Sequence, residues 1–223
     1  MKTQLALLLV IFLCQNYTSA QNIKEIDSLT IEMCKSLSTM KDVNPKEKIE
    51  FIFQNHLTNY FDKLKISSQA NADSINKRVY FRLQKNCAIF RETLDQLEEN
   101  KSDWKKLELK PSSSLYLKDF KSFLKGGLFY YKEFNGDIVN VALSENLWIE
   151  TFIDGTTSKL IFNPKTNSEF ELQFIESSNE TRKNFSIKGD IYKYGIYAKE
   201  NNEYFIWVMS KEKQFSGFKL YKK

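Results

Sequence analysis

Glu169-Phe170-Glu171-Leu172-Gln173-Phe174 decides the fold of the second half of the chain. Polar residues take every odd position and large apolar residues every even one, the two-residue period of a strand with one buried face. On either side of it the same reading predicts strands at 127–134, 137–143, 146–153, 158–163, 168–176, 184–189, 191–198, 203–209 and 214–221. Between them stand short turn signals: Asn135-Gly136-Asp137, Asp154-Gly155, Asn163-Pro164, Gly189-Asp190 and Asn201-Asn202. Connections this short make sequential strands antiparallel neighbours, so a meander is expected. Eight or nine such strands would curl into a barrel or split into a sandwich, because a long open sheet leaves two unpaired edges.

The first half has a different grammar. All seven Gly lie between Gly126 and Gly217, and 22 of the 32 aromatic residues lie at or beyond Tyr116. Before that point the apolar residues recur every three to four positions, the period of amphipathic helices. Ile26, Leu29, Met33, Cys34 and Leu37 mark a helix at 23–39. A second follows Asn44 as cap, Pro45 at the first helical position and Glu47 in the first turn. A third is expected at 74–99, with Ile75, Val79, Leu83, Cys87, Leu94 and Leu97 on one face, after a polar joint at 67–73. Trp104 to Lys110, followed by Pro111-Ser112-Ser113-Ser114, reads as a linker. The expected class is therefore α+β: a three-helix bundle over 21–110, then an antiparallel β domain over 111–223.

Residues 1–20 read as a secretory leader. Lys2 gives a positive start, Leu5 to Leu13 is an apolar run, and Thr18-Ser19-Ala20 offers small residues before Gln21. The run is too short to span a bilayer, which takes about 20 residues. Lipid attachment at Cys14 is the rival reading, against which Leu13 stands where a small residue is wanted. The expected protein is exported, periplasmic or extracellular, without a transmembrane segment. Its net charge of +5 falls to +4 when Lys2 is removed. That mild excess, together with export, argues against nucleic acid as a partner.

Few residues remain for chemistry. Cys34 and Cys87 are the two cysteines outside the leader, and an even pair in an oxidising compartment reads as a disulfide. Two buried thiols are the alternative. His56 is the only histidine, so no multi-histidine metal centre is possible, and its place on an apolar helical stripe suits a hydrogen-bonded bundle residue. No nucleophile elbow, phosphate loop or dinucleotide fingerprint occurs, and neither a metal nor a cofactor is expected. Paired carboxylates could support hydrolysis without histidine. Glu169 and Glu171 fall on the polar face of their strand, whereas Glu150 lies beside Trp148 and Ile149 and would need a partner if buried. Asn179-Glu180-Thr181 and Asn184-Phe185-Ser186 match a glycosylation pattern and mark 177–184 as an exposed loop.

Rings on both faces of several strands mean that both faces are covered or that one holds a ligand. The ligand-binding candidates are Trp148, Glu150, Tyr194 and Trp207, for an unknown small molecule, glycan or protein. A non-catalytic binding or interaction protein is the expected function. A carboxylate-dependent hydrolase and an accessory subunit of an envelope assembly are the alternatives.

Gly127-Leu128-Phe129-Tyr130-Tyr131, Trp148-Ile149-Glu150, Glu169-Phe170-Glu171-Leu172 and Gly189-Asp190-Ile191-Tyr192-Lys193-Tyr194 resemble the sheet of a loosely defined group of small exported bacterial proteins. Met33-Cys34-Lys35 and Arg82-Leu83-Gln84-Lys85-Asn86-Cys87 resemble their helical half. The chain departs from that group in its run of three aromatics at 129–131 and in lacking cysteines in the sheet. The resemblance implies export and no assigned activity, and it carries over no catalytic residue.

Overall fold

The computed structural model describes residues 23–223 apart from Glu98 and Asn167, so the leader read at 1–20 lies outside the described residues. The chain forms two compact units that divide between Thr93 and Leu94.

The first unit is helical: α1 at 23–39, α2 at Pro45–Leu64, α3 at Gln69–Asn86 and α4 at Ala88–Asp95. Asn44 caps α2 by accepting from the Lys46 amide at 2.9 Å. Two boundaries differ from the sequence reading. The polar joint at 67–73 is the first turn of α3, where Gln69 Nε2 donates to Asp73 Oδ1 one turn on, at 2.8 Å. The expected third helix also breaks at Cys87, whose backbone is extended at φ −137° and ψ 109°. The break is stabilised from both sides. Cys87 bonds covalently to Cys34 of α1, with Cα atoms 5.7 Å apart, and Arg91 donates back to the Gln84 carbonyl of the last α3 turn at 2.6 Å. Ile26, Met33, Leu37, Ile52, Val79, Leu83 and Phe90 fill the core. Arg82 is buried among them because its fork holds Asp27 of α1 twice, at 2.7 and 2.6 Å.

The second unit is a closed barrel. Its elements are β1 (Lys105–Leu107), α5 (Leu117–Leu124), β2 (Gly127–Lys132), β3 (Ile138–Ser144), β4 (Leu147–Thr151), β5 (Thr157–Pro164), β6 (Glu169–Ser177), α6 (Glu180–Phe185), β7 (Ile191–Glu200), β8 (Glu203–Met209) and β9 (Phe215–Lys222). Strands β2 to β9 pair in chain order, all antiparallel, and β9 returns to β2 through Phe129–Lys222 and Tyr130–Tyr221. Closure leaves no edge in the eight-stranded cylinder, and β1 adds along β9. The alternation read from the sequence decides which side chains face in. Phe129, Tyr131, Val139, Val141, Leu143, Leu160, Phe162, Phe170, Leu172, Phe174, Ile206 and Leu220 are all buried.

Three pieces of the barrel were absent from the sequence reading. First, α5 plugs the end where β2 begins: Phe123 lies 5.3 to 6.0 Å from the rings of Phe129, Phe162, Phe170 and Tyr204. Gly126 makes the turn from this plug into β2 at φ +78°, where a Cβ would stand 2.2 Å from the Leu143 carbonyl oxygen. Second, the stretch at 104–110 read as a linker is part of the sheet. Strands β2 and β9 pair only near the α5 end; at the other end Trp104 stacks on Phe218 at 4.4 Å and donates to the Lys132 carbonyl at 2.9 Å. Third, residues 184–189, read as a strand, instead hold the end of α6 and the turn into β7. The helix covers the end of the barrel opposite α5, so the expectation of an exposed loop at 177–184 is also corrected.

Candidate binding site at the barrel mouth

The end covered by α6 collects the polar side chains of the interior. Tyr131 comes from β2, Glu133 from the residue after it, Trp148 and Glu150 from β4, Arg182 from α6 and Tyr194 from β7. Glu150 is 9% exposed, and a carboxylate so placed must be compensated. Its Oε1 accepts from the Tyr131 hydroxyl at 3.0 Å and from Trp148 Nε1 at 3.4 Å, while its Oε2 lies 3.5 Å from Arg182 Nε. Arg182 Nη2 also donates to the Tyr131 oxygen at 2.9 Å and to Glu133 Oε1. The Tyr131 hydroxyl lies 3.3 Å from Glu133, so it stands between the two carboxylates.

Local sequence sets up this geometry. Tyr131, Trp148 and Glu150 are inward positions of adjacent or next-adjacent strands, with Val141 of β3 paired to Glu150. Arg182 is delivered by a short helix whose cap, Asn179, accepts from the Arg182 amide at 3.1 Å. Its guanidinium also lies over the Phe152 ring, 5.3 Å from the centroid.

Burial, and then the charge of Glu150, push the Tyr131 phenol well above its usual range, so it stays a neutral donor. Burial would lower the Arg182 pKa, but the oxygens of Tyr131, Glu133 and Glu150 outweigh it and keep the guanidinium charged. Burial followed by the Glu150 charge likewise raises Tyr194. The Tyr194 ring stacks on Phe170 at 5.3 Å, and among the described residues its hydroxyl has no hydrogen-bond partner. Two carboxylates thus face one guanidinium, leaving the mouth with an excess of negative charge.

Three of the four candidates read from the sequence meet here. Trp148, Phe170 and Tyr194 form one stacked array, with Trp148 to Phe170 at 6.2 Å, and Glu150 sits at its polar end. Trp207 does not join them. It lies on the outer face, flat against Gly195 of β7, where a Cβ would come within 2.5 Å of the indole. Lys110 covers it at 4.9 Å from the ring, and it is 4% exposed. The chain around Lys110 is fastened beside the β7 bulge by Ser113 and Ser114, which donate to the carbonyls of Ile196 and Tyr197 at 2.9 and 2.8 Å. Glu133 and Arg182 were missed. Glu133 is inconspicuous beside a turn, and Arg182 lies in a polar stretch; the one available signal was that a buried Glu150 demands a cation. His56, as expected, is hydrogen-bonded within the bundle, to Ser36 Oγ at 2.8 Å.

Fold and site together define a closed antiparallel barrel, plugged at one end and capped at the other by a helix that seats an arginine between two glutamates. No family model, curated protein or solved structure matches the chain. No group of His, Cys, Asp or Glu among the described residues could hold a metal ion, and no described helix is long and apolar enough to cross a membrane.

Proposed function

We propose that this is an exported, non-catalytic binding protein whose barrel mouth takes an organic cation, an amine or guanidinium, in competition with Arg182. The observation that carries the reading is the buried Glu150, which shares one guanidinium with Glu133. A barrel under selection for stability alone gains nothing from such a cluster, since well-packed apolar residues would serve as well or better. The mouth also supplies what a guanidinium site needs: carboxylates for its N–H groups, the Phe152 ring for its face, and the Tyr194 hydroxyl as a further polar contact. Export rests on the leader pattern and is compatible with the Cys34–Cys87 bond.

The carboxylate pair also bears on the hydrolase reading, because Glu133 supplies the second acid that Glu150 would need. Arg182 occupies the space between them, where a scissile bond would have to lie, and this favours binding. The test is calorimetric titration of the protein purified from its exported fraction with agmatine, using propionate as the anionic control. Agmatine should bind, propionate should not, and Glu150→Gln should weaken agmatine at least tenfold. Equal binding by the variant, or none by the wild type, refutes the proposal. Amino-terminal sequencing of the same material should begin at Gln21.

A further inference from the structure

The plug helix α5 has two faces of different character. Phe120 and Phe123 point into the barrel and are buried, and Leu124 packs against the same core. On the opposite side Leu117, Lys121 and Lys125 recur every four residues with Lys118 beside them, so they form one outward stripe. The three lysines are exposed, and among the described residues none of them forms an ion pair. The only acid of the helix, Asp119, lies off that stripe and pairs with Lys199 at 3.5 Å.

Large apolar side chains stand in water beside these charges. Tyr116 is 72% exposed, Leu117 67% and Leu128 60%. Lys118 Nζ lies 5.6 Å from the centroid of the Tyr116 ring, which places that ring next to the stripe. Leu128 approaches from the other end of the helix. The turn at Gly126, whose amide donates to the Phe123 carbonyl at 2.9 Å, carries the chain from α5 into β2, and the Leu128 carbonyl then accepts from the amide of Lys223 at 3.0 Å. A single exposed leucine needs no explanation. Three protruding apolar residues on and beside one short helix, framed by lysines without acidic partners, are a different case.

We propose that this end of the barrel docks on an anionic membrane surface. Tyr116, Leu117 and Leu128 enter the boundary between headgroups and acyl chains, and Lys118, Lys121 and Lys125 meet the lipid phosphates. Charge complementarity selects the occupant, because lysines around protruding apolar side chains fit a surface that is anionic outside and apolar beneath. A neutral bilayer would leave the lysines unanswered. Since α6 lies at the opposite end of the barrel, the mouth with Glu150 is left facing away from the lipid.

The test is co-sedimentation of the protein purified from its exported fraction with vesicles of equal parts phosphatidylglycerol and phosphatidylcholine, and with vesicles of phosphatidylcholine alone. The protein should bind the first and not the second, and high salt should release it. A lysine near an anionic surface is worth about fivefold in partitioning, so Lys118→Gln/Lys121→Gln/Lys125→Gln should weaken binding about a hundredfold. Leu117→Ser should weaken it about tenfold. All four positions are exposed, and near-ultraviolet circular dichroism checks that each variant keeps the barrel. Failure of the wild type to bind the anionic vesicles, or equal binding by the folded triple variant, would overturn the proposal. Undiminished binding by Leu117→Ser would show that charge alone is read, as by an acidic protein partner, and would overturn the membrane assignment.

Discussion

Replacing Arg182 by Met removes the cation that pairs with Glu133 and Glu150 while keeping most of the side chain's volume. Glu150 would then sit at 9% exposure with two neutral donors, Tyr131 and Trp148, and no opposing charge. Removing one partner of a buried pair costs about 3 to 5 kcal/mol, because the other charge is left uncompensated. The Arg182 side chain is 25% exposed and that of Glu133 is 30% exposed, so water relieves part of the loss and the lower end applies, about 3 kcal/mol. For a unit of this size that corresponds to a fall in Tm of about 10 °C. The double variant Arg182→Met/Glu150→Gln should recover most of it, since the charge that needed a partner is gone. The double variant separates this mechanism from lost packing, since it restores no volume and removes only the uncompensated charge. Thermal unfolding of wild type and both variants at pH 7 measures all of this. A single variant within about 0.5 kcal/mol of wild type at pH 7, or a double variant no better than the single, would refute the reasoning.

Reducing Cys34–Cys87, whose members stand 53 residues apart, should cost the helical unit about 4 kcal/mol by chain entropy, read as a drop in helical melting temperature with reductant. Gly195→Ala places a methyl against the Trp207 indole and should cost about 1 to 3 kcal/mol. The same change in a Trp207→Ala background should cost far less, and equal costs would remove the contact as the cause. Burial holds the Tyr131 and Tyr194 phenols protonated, so unfolding exposes groups that ionise near pH 10. Stability should be flat below that pH and fall as pH rises beyond it. Absorbance at alkaline pH should show these two tyrosines ionising only with unfolding; early ionisation of every tyrosine would contradict their burial.

The alternating runs were legible because a half-buried strand writes its two faces directly into the sequence, as Phe170, Leu172 and Phe174 do. Closure into a barrel was not, because it depends on the pairing of β9 with β2, whose residues stand about 90 positions apart. The plug α5 and the cap α6 are short helices of eight and six residues, below the length at which periodicity speaks. Cys87 breaks its helix without Gly or Pro, under a covalent constraint from α1. Within the site, Trp148, Glu150 and Tyr194 were legible as inward or aromatic strand residues. Trp207 is aromatic like them, but it follows the inward Ile206, so the two-residue period puts it on the outer face, where the chain at Lys110 covers it. Arg182 was hidden because its role comes from where the barrel places the short helix α6.

Nuclear magnetic resonance of the Arg182 Nε–H signal, assigned by its loss in Arg182→Met, tests most directly whether the mouth is a cation site. In the free protein the signal should be sharp and slow to exchange, held by Glu150. On titration with agmatine it should move or broaden saturably as the guanidinium is displaced, with no such change on adding propionate. A signal that stays fixed through the titration would contradict the account and leave Arg182 as a structural tie between α6 and the barrel.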